Sequence, residues 1–414
     1  MYSLPRLKLY TTLKQYLYIL NPIRFFTDKK NNHINNLIIK LSKLTESKYV
    51  IPVTQARVGL YLSIKHLLNS KKKEVLLSPY TIAEVISIVV CAGGKPVFCD
   101  IDRKSCNISY ENIEKKISNK TGLILVTHFY GNSCEMTKIK KLADKYSLPL
   151  VEDAAQAFSA KSDGRHCGTF GNAGVYSFGL YKNINAFYGG AIVTNDLNLK
   201  KKIEEEMKSW PNINIVYFYK KVINGILIDV VTSKIIFSKI FFYFFRWAFK
   251  NNIDSINNKL KIDVNPKLFY KMPKEYLVKL TNKQAYLIVS QLDTFIKDTE
   301  SRIKNASLWT KYLSPLKNKI IIPDFKKDYS HIYWYFPIQY ENRKELVMYV
   351  QEHGHDISES YHRNCADLNC FKSFHTECPN SHMTANELIY LPCYPSYPEK
   401  NIKEVSNIIL SFFK

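Results

Sequence analysis

An acid, a hydroxyl and a lone lysine lie close together in the stretch 148–190. An apolar run at 148–151 has the length and flanks of a buried strand, and Asp153 follows where that strand should end. A carboxylate at the C-terminal edge of a strand usually faces a ligand crevice. A second apolar run delivers Ser177, and Lys182 comes five residues later between aromatic and small residues. These are the parts needed to hold pyridoxal phosphate (PLP).

The chemistry of PLP gives each of these side chains a role. PLP reacts as a Schiff base on a lysine amine, so one lysine must be perturbed enough to be neutral and nucleophilic, and Lys182 is the candidate. The ring nitrogen of PLP must stay protonated, which a nearby carboxylate such as Asp153 enforces. The phosphate needs hydroxyl and backbone N–H donors, preferably at a helix N-terminus. Ser177 supplies a hydroxyl, and Ala56 and Arg57 lie at a predicted helix start.

Several motifs around these residues resemble the DegT/StrS-type sugar aminotransferases. The central motifs are EDAAQA (152–157), GTFG (168–171), YSF (176–178), YKN (181–183) and GGAIVTND (189–196). Others occur at 78–102 and 126–131, with weaker ones at 282–296, 330–338 and 387–395. Members of this family are fold-type I PLP enzymes, usually homodimers, that exchange a keto group on a nucleotide sugar for an amine. The resemblance covers most of the chain after about residue 46.

The resemblance implies a fold and a reaction. The expected fold is α/β, that of a fold-type I PLP-dependent transferase with a large, mostly parallel-sheet domain and a smaller α+β C-terminal domain. The expected reaction is a ping-pong transamination in which Lys182 binds the cofactor and moves the proton while Asp153 keeps the ring nitrogen protonated. The amino donor is expected to be an amino acid such as glutamate. The acceptor is a keto-sugar on a nucleotide or lipid carrier.

Two further residues join the predicted cofactor site. Gln156 matches a family residue that lies against the cofactor. His128, in the motif VTHFYG, follows a predicted strand at a position that suits either the wall of the cofactor crevice or a purely structural histidine.

Three positions depart from the family pattern. Ile82 stands where many members carry an aromatic residue that stacks on PLP, and Tyr188 stands where a glutamate is frequent. Leu277 falls near the position of an asparagine that reaches the neighbouring subunit's phosphate. These changes bear on cofactor affinity and leave a degenerate, non-catalytic scaffold as one alternative. A PLP-dependent sugar dehydratase is another, although such relatives carry histidine in place of Lys182.

Length and composition favour a globular cytosolic protein. The 414 residues are 46% apolar, enough for a large core and two or three domains. Nine cysteines without metal-type pairing indicate reduced thiols, and the nearest pair, Cys365 and Cys370, predicts no metal site. A net charge of +23 favours polyanions. No nucleic-acid-binding fingerprint accompanies this charge. Three explanations of it remain: binding to a nucleotide diphosphate, binding to an acidic membrane face, or a compositional bias without selection on binding.

The first 45 residues lack the continuous apolar core of a signal peptide, so export is not expected. Aromatic and leucine residues alternate there with Arg6, Lys8, Lys14 and Arg24. This mixture suits a membrane-surface segment, and an arm packed on a partner subunit is the equal alternative.

A regular alternation of apolar runs and helix-like stretches begins at Lys48. The predicted strands are 75–77, 96–99, 122–126 and 148–151, and the predicted helices are 58–68, 83–91, 110–118 and 135–146. This pattern predicts a mostly parallel sheet with helices on its faces. The expected division is an N-terminal arm (1–45), a PLP-binding large domain (46–210), an apolar insertion (211–272) and a small C-terminal domain (273–414).

The insertion is more apolar than the connection usual in the family. Asp229, Lys234, Lys239 and Arg246 interrupt its segment 222–249, so no run reaches the length of about 18 residues expected of a spanning helix. At 100° per residue these charges do not share one face, so a clean amphipathic helix is not expected. A shallow membrane-inserted hairpin and an oligomer interface remain. With the basic arm, the first predicts a monotopic enzyme on the cytoplasmic membrane face.

The C-terminal domain should contain helices near 282–313, 343–353 and 400–413 and a strand within 333–340. The polar segment 355–385 contains His362, His375 and His382. These histidines either contact substrate or belong to a solvated loop.

Overall fold

A seven-stranded sheet organises the computed structural model, which describes residues 3–21, 32–253 and 265–414. In spatial order its strands are β1 (Tyr49–Val53), β10 (Gly190–Thr194), β9 (Ala173–Ser177), β6 (Leu150–Asp153), β5 (Thr121–Thr127), β2 (Glu74–Leu77) and β4 (Lys95–Phe98). The strands from β9 to β4 run parallel, whereas β10 and β1 are antiparallel to their neighbours. The predicted mostly parallel sheet is therefore confirmed.

Helices alternate with these strands and continue after them. In chain order they are α1 (Leu13–Leu20), α2 (His33–Thr45), α3 (Ala56–Leu67), α4 (Ala83–Cys91), α5 (Tyr110–Lys116), α6 (Met136–Lys145), α7 (Leu197–Lys208), α8 (Ile215–Val231), α9 (Lys234–Ile236), α10 (Phe242–Lys250), α11 (Asn282–Leu292), α12 (Phe295–Leu313), α13 (Arg343–Glu352), α14 (Pro379–Glu387) and α15 (Glu399–Phe412). Short 3₁₀ turns lie at Phe129–Gly131, Lys274–Tyr276, Ser314–Leu316, Cys365–Asp367 and Asn369–Phe374.

The sheet is covered on both faces, which explains its near-continuous apolar strands. Along β5, Leu123 and Leu125 join the apolar cluster that includes α3 and α4, whereas Ile124 and Val126 join a second cluster with α5 and α6. Successive side chains of a strand point to opposite faces, so a run buried throughout needs cover on both sides.

A second, antiparallel sheet forms the centre of the C-terminal part. Its order is β11 (Phe336–Gln339), β14 (Leu388–Leu391) and β12 (Ser358–Glu359). Two further pairs are β3 (Tyr80–Thr81) with β13 (Arg363–Asn364) and β7 (Lys161–Ser162) with β8 (Arg165–His166). Because β13 pairs with β3, the segment after β12 docks onto the large domain.

The insertion folds as two helical arms rather than one. Helix α8 ends at Val231, the hydroxyl of its C-cap residue Thr232 donates to the Ile228 carbonyl (2.7 Å), and Ser233 is the N-cap of α9. A π-helical turn, Phe237–Phe241, connects α9 to α10. The segment 222–249 is thus not one amphipathic helix, as expected, because a break at 232–233 divides it. Among the helices of the described ranges, none is long and apolar enough to cross a membrane.

The described part of the N-terminal arm packs on its own chain. Ile19 and Leu9 are buried, and the Tyr18 ring stacks on Tyr286 with centroids 3.6 Å apart. The guanidinium of Arg6 forms an ion pair with Asp356, and the Arg6 backbone amide donates to the same carboxylate (2.8 Å). One side of the arm therefore packs on its own chain, and whether its exposed side meets a membrane surface or a partner subunit stays a prediction. Arg24 lies outside the described residues.

Candidate active site

Lys182 lies in the loop that follows β9, against an indole ring. Its Nζ is 4.2 Å from the centroid of the Trp334 ring, and the Trp334 Nε1 donates to the Tyr181 carbonyl (2.9 Å). Burial lowers the pKa of Lys182 to about 8; the negative charge of Asp153 opposes this shift and the positive charge of Arg57 adds to it. The lysine therefore has a substantial neutral, nucleophilic fraction near neutral pH.

Asp153 ends β6 and belongs to the same electrostatic environment. It is 6% exposed, and its Oδ1 accepts a hydrogen bond from the Ala155 amide (3.0 Å). Burial raises the pKa of Asp153, against the Ala155 hydrogen bond and the positive charge of Lys182. The two residues that sequence reasoning put first are thus brought together.

Glu152 points to the other side of β6 and has a structural role. Its Oε2 accepts from the Gly168 amide and its Oε1 from the Gly171 amide, both at 2.7 Å. The carboxylate therefore anchors the GTFG loop at two points. Glu152 and Asp153 have different roles because successive side chains of a strand point to opposite faces of the sheet.

His128 is completely buried, and the protein occupies both of its ring nitrogens. Nδ1 accepts from the Cys134 amide (3.1 Å), so Nε2 carries the hydrogen that Glu152 accepts (3.2 Å). No ring nitrogen is left to bind a cofactor. Of the two interpretations of His128, the geometry supports the structural one.

Helix α3 offers an uncapped N-terminus at the edge of the sheet. It begins at Ala56, and the side chain of the N-cap residue Gln55 makes no capping hydrogen bond. A Cβ added to Gly190 would lie 2.9 Å from the Ala56 nitrogen, so the glycine allows the close approach of β10 to this helix end. Backbone N–H groups at such an end favour a phosphate.

Ser177 and Lys182 flank the same turn. The Ser177 Oγ accepts from the Gly179 amide (3.4 Å), and a Cβ added to Gly179 would contact Ser177 Oγ at 3.5 Å and Lys182 Cγ at 4.0 Å. The hydroxyl predicted for the phosphate and the predicted nucleophile are therefore neighbours.

Arg57 is already paired within the protein, which the sequence did not indicate. Its Nε lies 2.5 Å from the Glu84 Oε2, and its guanidinium lies 5.9 Å from the Tyr276 ring centroid. The Tyr276 hydroxyl donates to the same carboxylate (3.3 Å). Glu84 compensates the charge of the Arg57 side chain, and the predicted role of Arg57, a backbone amide at the helix start, does not depend on that charge.

Gln156 is held between the two parts of the chain. Its Oε1 accepts from the Tyr130 amide (2.8 Å), and its Nε2 lies 3.4 Å from the His362 Nε2. His362 is 4% exposed, so the solvated-loop interpretation is wrong for this histidine. His382, by contrast, is exposed and pairs with Asp367.

The three departures from the family pattern are accommodated in different ways. Ile82 and Leu277 pack partly buried against the apolar cluster on the α3 side of the sheet. The Tyr188 hydroxyl is 2.6 Å from that of Tyr217 on the insertion helix α8, with the rings stacked at 5.6 Å. The insertion therefore reaches the loop that carries Lys182. Sequence reasoning treated it as a separate segment.

These residues fit PLP. A lysine with a lowered pKa, a buried carboxylate beside it, and a hydroxyl near an uncapped helix N-terminus are the donor set that the cofactor requires. A mostly parallel sheet that carries this set at its strand ends defines the class of fold-type I PLP-dependent transferases.

Within that class, the chain belongs to the DegT/DnrJ/EryC1/StrS aminotransferase family, whose model matches residues 26–210 and 264–410. This confirms the predicted family, fold class and PLP dependence. The roles of the individual site residues remain predictions.

Known proteins agree with this placement. The chain is 35% identical to GDP-perosamine synthase of Escherichia coli O157:H7 over 170 residues, which cover 41% of this chain and 47% of that protein. The matches to the first curated relatives span 41 to 47% of those relatives' lengths. Its fold matches Helicobacter pylori PseC, an aminotransferase of pseudoaminic acid biosynthesis (TM-score 0.71, 18% identity, 100% of this chain and 98% of that one). It also matches Bacillus subtilis NtdA with bound cofactor PMP (TM-score 0.74, 20% identity, 99% and 86%).

Proposed function

We propose that this protein is a PLP-dependent aminotransferase that converts a keto-sugar into an amino-sugar. The observation that carries the proposal is the buried pair of Lys182, with its lowered pKa, and Asp153. When bound, PLP supplies an electron sink for the electrons of the substrate carbon–hydrogen bond. A keto-sugar acceptor fits the family and the relative named GDP-perosamine synthase.

Each side chain of the site has its own role in the proposed reaction. Lys182 binds the cofactor through its neutral amine and then acts as the base and acid that moves the substrate proton. Asp153 holds a proton on the ring nitrogen. Ser177 and the amides of Ala56 and Arg57 hold the phosphate, and Gln156 lies against the ring.

The test compares the wild type with Lys182→Ala and with a matched variant of an exposed lysine, Lys145→Ala. Incubation with PLP, ¹⁵N-glutamate and a panel of nucleotide-linked keto-sugars should give ¹⁵N-labelled amino-sugar with the wild type and Lys145→Ala. Lys182→Ala should give none and should lack the visible absorbance of the lysine-bound cofactor. Normal transfer by Lys182→Ala would refute the assignment.

The same experiment separates the other functions. A colourless wild type that cannot be loaded with PLP would indicate a non-catalytic scaffold, consistent with Ile82, Tyr188 and Leu277. Loss of water from the sugar without nitrogen transfer would indicate a dehydratase, which the presence of Lys182 disfavours. Glutamate is the proposed donor because the family resemblance implies an amino-acid donor. A label transferred from another amino acid in preference would correct that assignment.

We also propose that the enzyme works on an anionic membrane face. The carrying observation is an exposed apolar stripe on α8, formed by Val216, Ile223, Leu227 and Val230 at helical spacing. Their exposed fractions are 73, 54, 56 and 46%. Such a stripe is unusual for a surface that meets only water.

Two neighbouring elements extend this apolar surface. Leu13, Leu17 and Leu20 form an exposed stripe on α1, which is tied to α8 by the hydrogen bond from Tyr16 to Asp229 (2.5 Å). On α10, the exposed apolar residues are Tyr243, Phe244 and Trp247. Exposed lysines lie among them at positions 220, 234 and 239. Aromatic and aliphatic residues beside basic ones suit the interface of an anionic bilayer.

The structure indicates which variants to use. Deleting 222–249 would also remove buried residues such as Val222 and Phe242, so Leu227→Ser with Trp247→Ser is the better test. The control is Ile39→Ser, which changes an exposed residue of α2. Co-sedimentation with anionic vesicles at low salt should be lost in the double variant and kept in the control. A wild type that stays in the supernatant would refute membrane binding.

A homodimer remains a proposal that rests on the family resemblance. Light scattering after size-exclusion chromatography should give a mass of twice 48.2 kDa. If Leu227→Ser with Trp247→Ser dissociates the dimer and does not change vesicle binding, the apolar stripe is a subunit interface.

A further inference from the structure

A buried polar network lies next to Lys182, in the seam between the large domain and the C-terminal part. The hydroxyls of Tyr80 and Tyr130 are 2.6 Å apart, and those of Ser360 and Tyr390 are 2.8 Å apart. The Tyr390 hydroxyl lies 2.6 Å from the Nδ1 of His362. All five side chains are buried, so their hydrogen bonds are not exchanged with bulk water.

The network ends on Gln156 and defines its orientation. The Tyr130 amide donates to the Gln156 Oε1, so the Gln156 Nε2 must be the atom that faces His362. This amino group can only donate, and the His362 Nε2 therefore accepts. The Nδ1 of His362 then carries the hydrogen and donates it to Tyr390.

His362 is fixed in this place by main-chain pairing as well as by its ring. Residues 363–364 pair with 80–81 across the seam, and the Cys365 amide donates to the Pro79 carbonyl (2.7 Å). The ring of Tyr361 stacks beside the imidazole at 4.6 Å. The acceptor nitrogen is thus held at a set position relative to the large domain.

The imidazole stays neutral at working pH. Burial lowers the pKa of His362 to about 3, and the positive charge of Lys182 adds to the shift. A neutral ring keeps Nε2 as an acceptor, whereas a protonated ring would present N–H against N–H at Gln156.

We propose that His362 is a positioning residue that holds the side-chain amide of Gln156 in one orientation against the cofactor. This inference rests on the proposed function, since it takes Gln156 to contact PLP. Without the acceptor, the amino group of the partly buried Gln156 side chain loses its partner, and the amide is free to rotate away from the ring.

The test is a double-mutant cycle on PLP binding to the full-length protein. The variants are His362→Phe, Gln156→Ala and the two combined, with His382→Phe as a control on the same segment. The dissociation constant for PLP is measured by fluorescence titration of the cofactor-free protein, and folding is checked by circular dichroism. We expect His362→Phe to weaken PLP binding about tenfold, which corresponds to about 1.4 kcal/mol. In the Gln156→Ala background the same change should have no effect.

The conservative variant His362→Gln distinguishes loss of the acceptor from a folding defect. In His362→Gln the side-chain oxygen can still accept from Gln156, so PLP affinity should return to within about threefold of the wild type. An additive cycle, or an unchanged affinity in His362→Phe, would overturn the inference while leaving the proposed function intact. Failure of the wild type to bind PLP would overturn both, and that outcome is seen before any variant is made.

Discussion

The lowered pKa of Lys182 predicts an unusual reactivity that can be measured without substrate. A pKa of about 8 leaves half of the amine neutral at pH 8. A lysine at the ordinary value of 10.5 would be about 0.3% neutral at that pH, so Lys182 should react about 150-fold faster with an acylating reagent, other factors being equal. The cause is burial beside Arg57, only partly offset by Asp153.

The assay is competitive acylation of the cofactor-free protein between pH 6 and 11, read by peptide mass spectrometry. The peptide with Lys182 should reach half of its maximal rate near pH 8, and peptides with other lysines in the same digest are the internal reference. Two substitutions should move the midpoint in opposite directions. Asp153→Asn removes a negative charge and should lower it; Arg57→Gln removes a positive charge and should raise it.

Shifts of the acylation midpoint in opposite directions in the two variants would distinguish an electrostatic effect from a change in packing. A change in packing that merely exposed the loop would raise the midpoint in both variants, because it would return the amine to water. A wild-type midpoint near 10.5 would show that Lys182 is solvated, and the electrostatic reasoning about the site would be wrong.

Three further changes have defined expectations. Glu152→Ala should lower the free energy of unfolding by about 3–5 kcal/mol in urea denaturation, because the buried Gly168 amide, the partly buried Gly171 amide and the buried His128 ring lose a charged acceptor; a loss under about 1 kcal/mol would contradict the anchoring role. Lys182→Met should stabilise the cofactor-free protein below pH 8, where the buried amine is charged, and the gain should vanish between pH 8 and 10.5 as the amine becomes neutral in both folded and unfolded states; a gain constant with pH would contradict the assigned pKa. Arg6→Ala should release the N-terminal arm from Asp356, which limited proteolysis would detect as faster cleavage before residue 33; an unchanged rate would show that the ion pair does not hold the arm.

The elements that carry the site could be predicted because their signals are local. The strands 75–77, 122–126 and 148–151 are apolar runs bounded by polar residues, and the structure places β2, β5 and β6 on them with ends shifted by one or two residues. Asp153 and Lys182 are found next to each other because strand ends converge at one edge of a parallel sheet.

The remaining site residues come from contacts between distant segments. Trp334 and His362 lie far along the chain from Lys182, in a weak family motif and a polar segment that gave no indication of contact with Lys182 or Gln156. Glu84 pairs with Arg57 across two helices, and neither residue's neighbours in sequence indicate the other. The pairing of β13 with β3, with the Cys365–Pro79 hydrogen bond beside it, brings the histidine to the crevice.

The insertion shows a limit of predicting exposed helix faces from sequence periodicity. The periodicity rule holds within one helix, and the turn at 232–233 separates two. Each helix has its own exposed apolar stripe. A single helical periodicity of 100° per residue applied to all of 222–249 shows neither stripe. The contact between Tyr217 and Tyr188 then links this element to the active-site loop. A substitution on α8 can for that reason affect catalysis as well as localisation.

The most direct test of the central claim is to identify the residue that carries the cofactor. Borohydride reduction of the PLP-loaded protein fixes the cofactor to its lysine, and peptide mapping then locates it. We expect the label on Lys182, in full stoichiometry, and its absence from Lys182→Ala. A label on any other lysine, or none on a protein that has bound PLP, would contradict the assignment of this site.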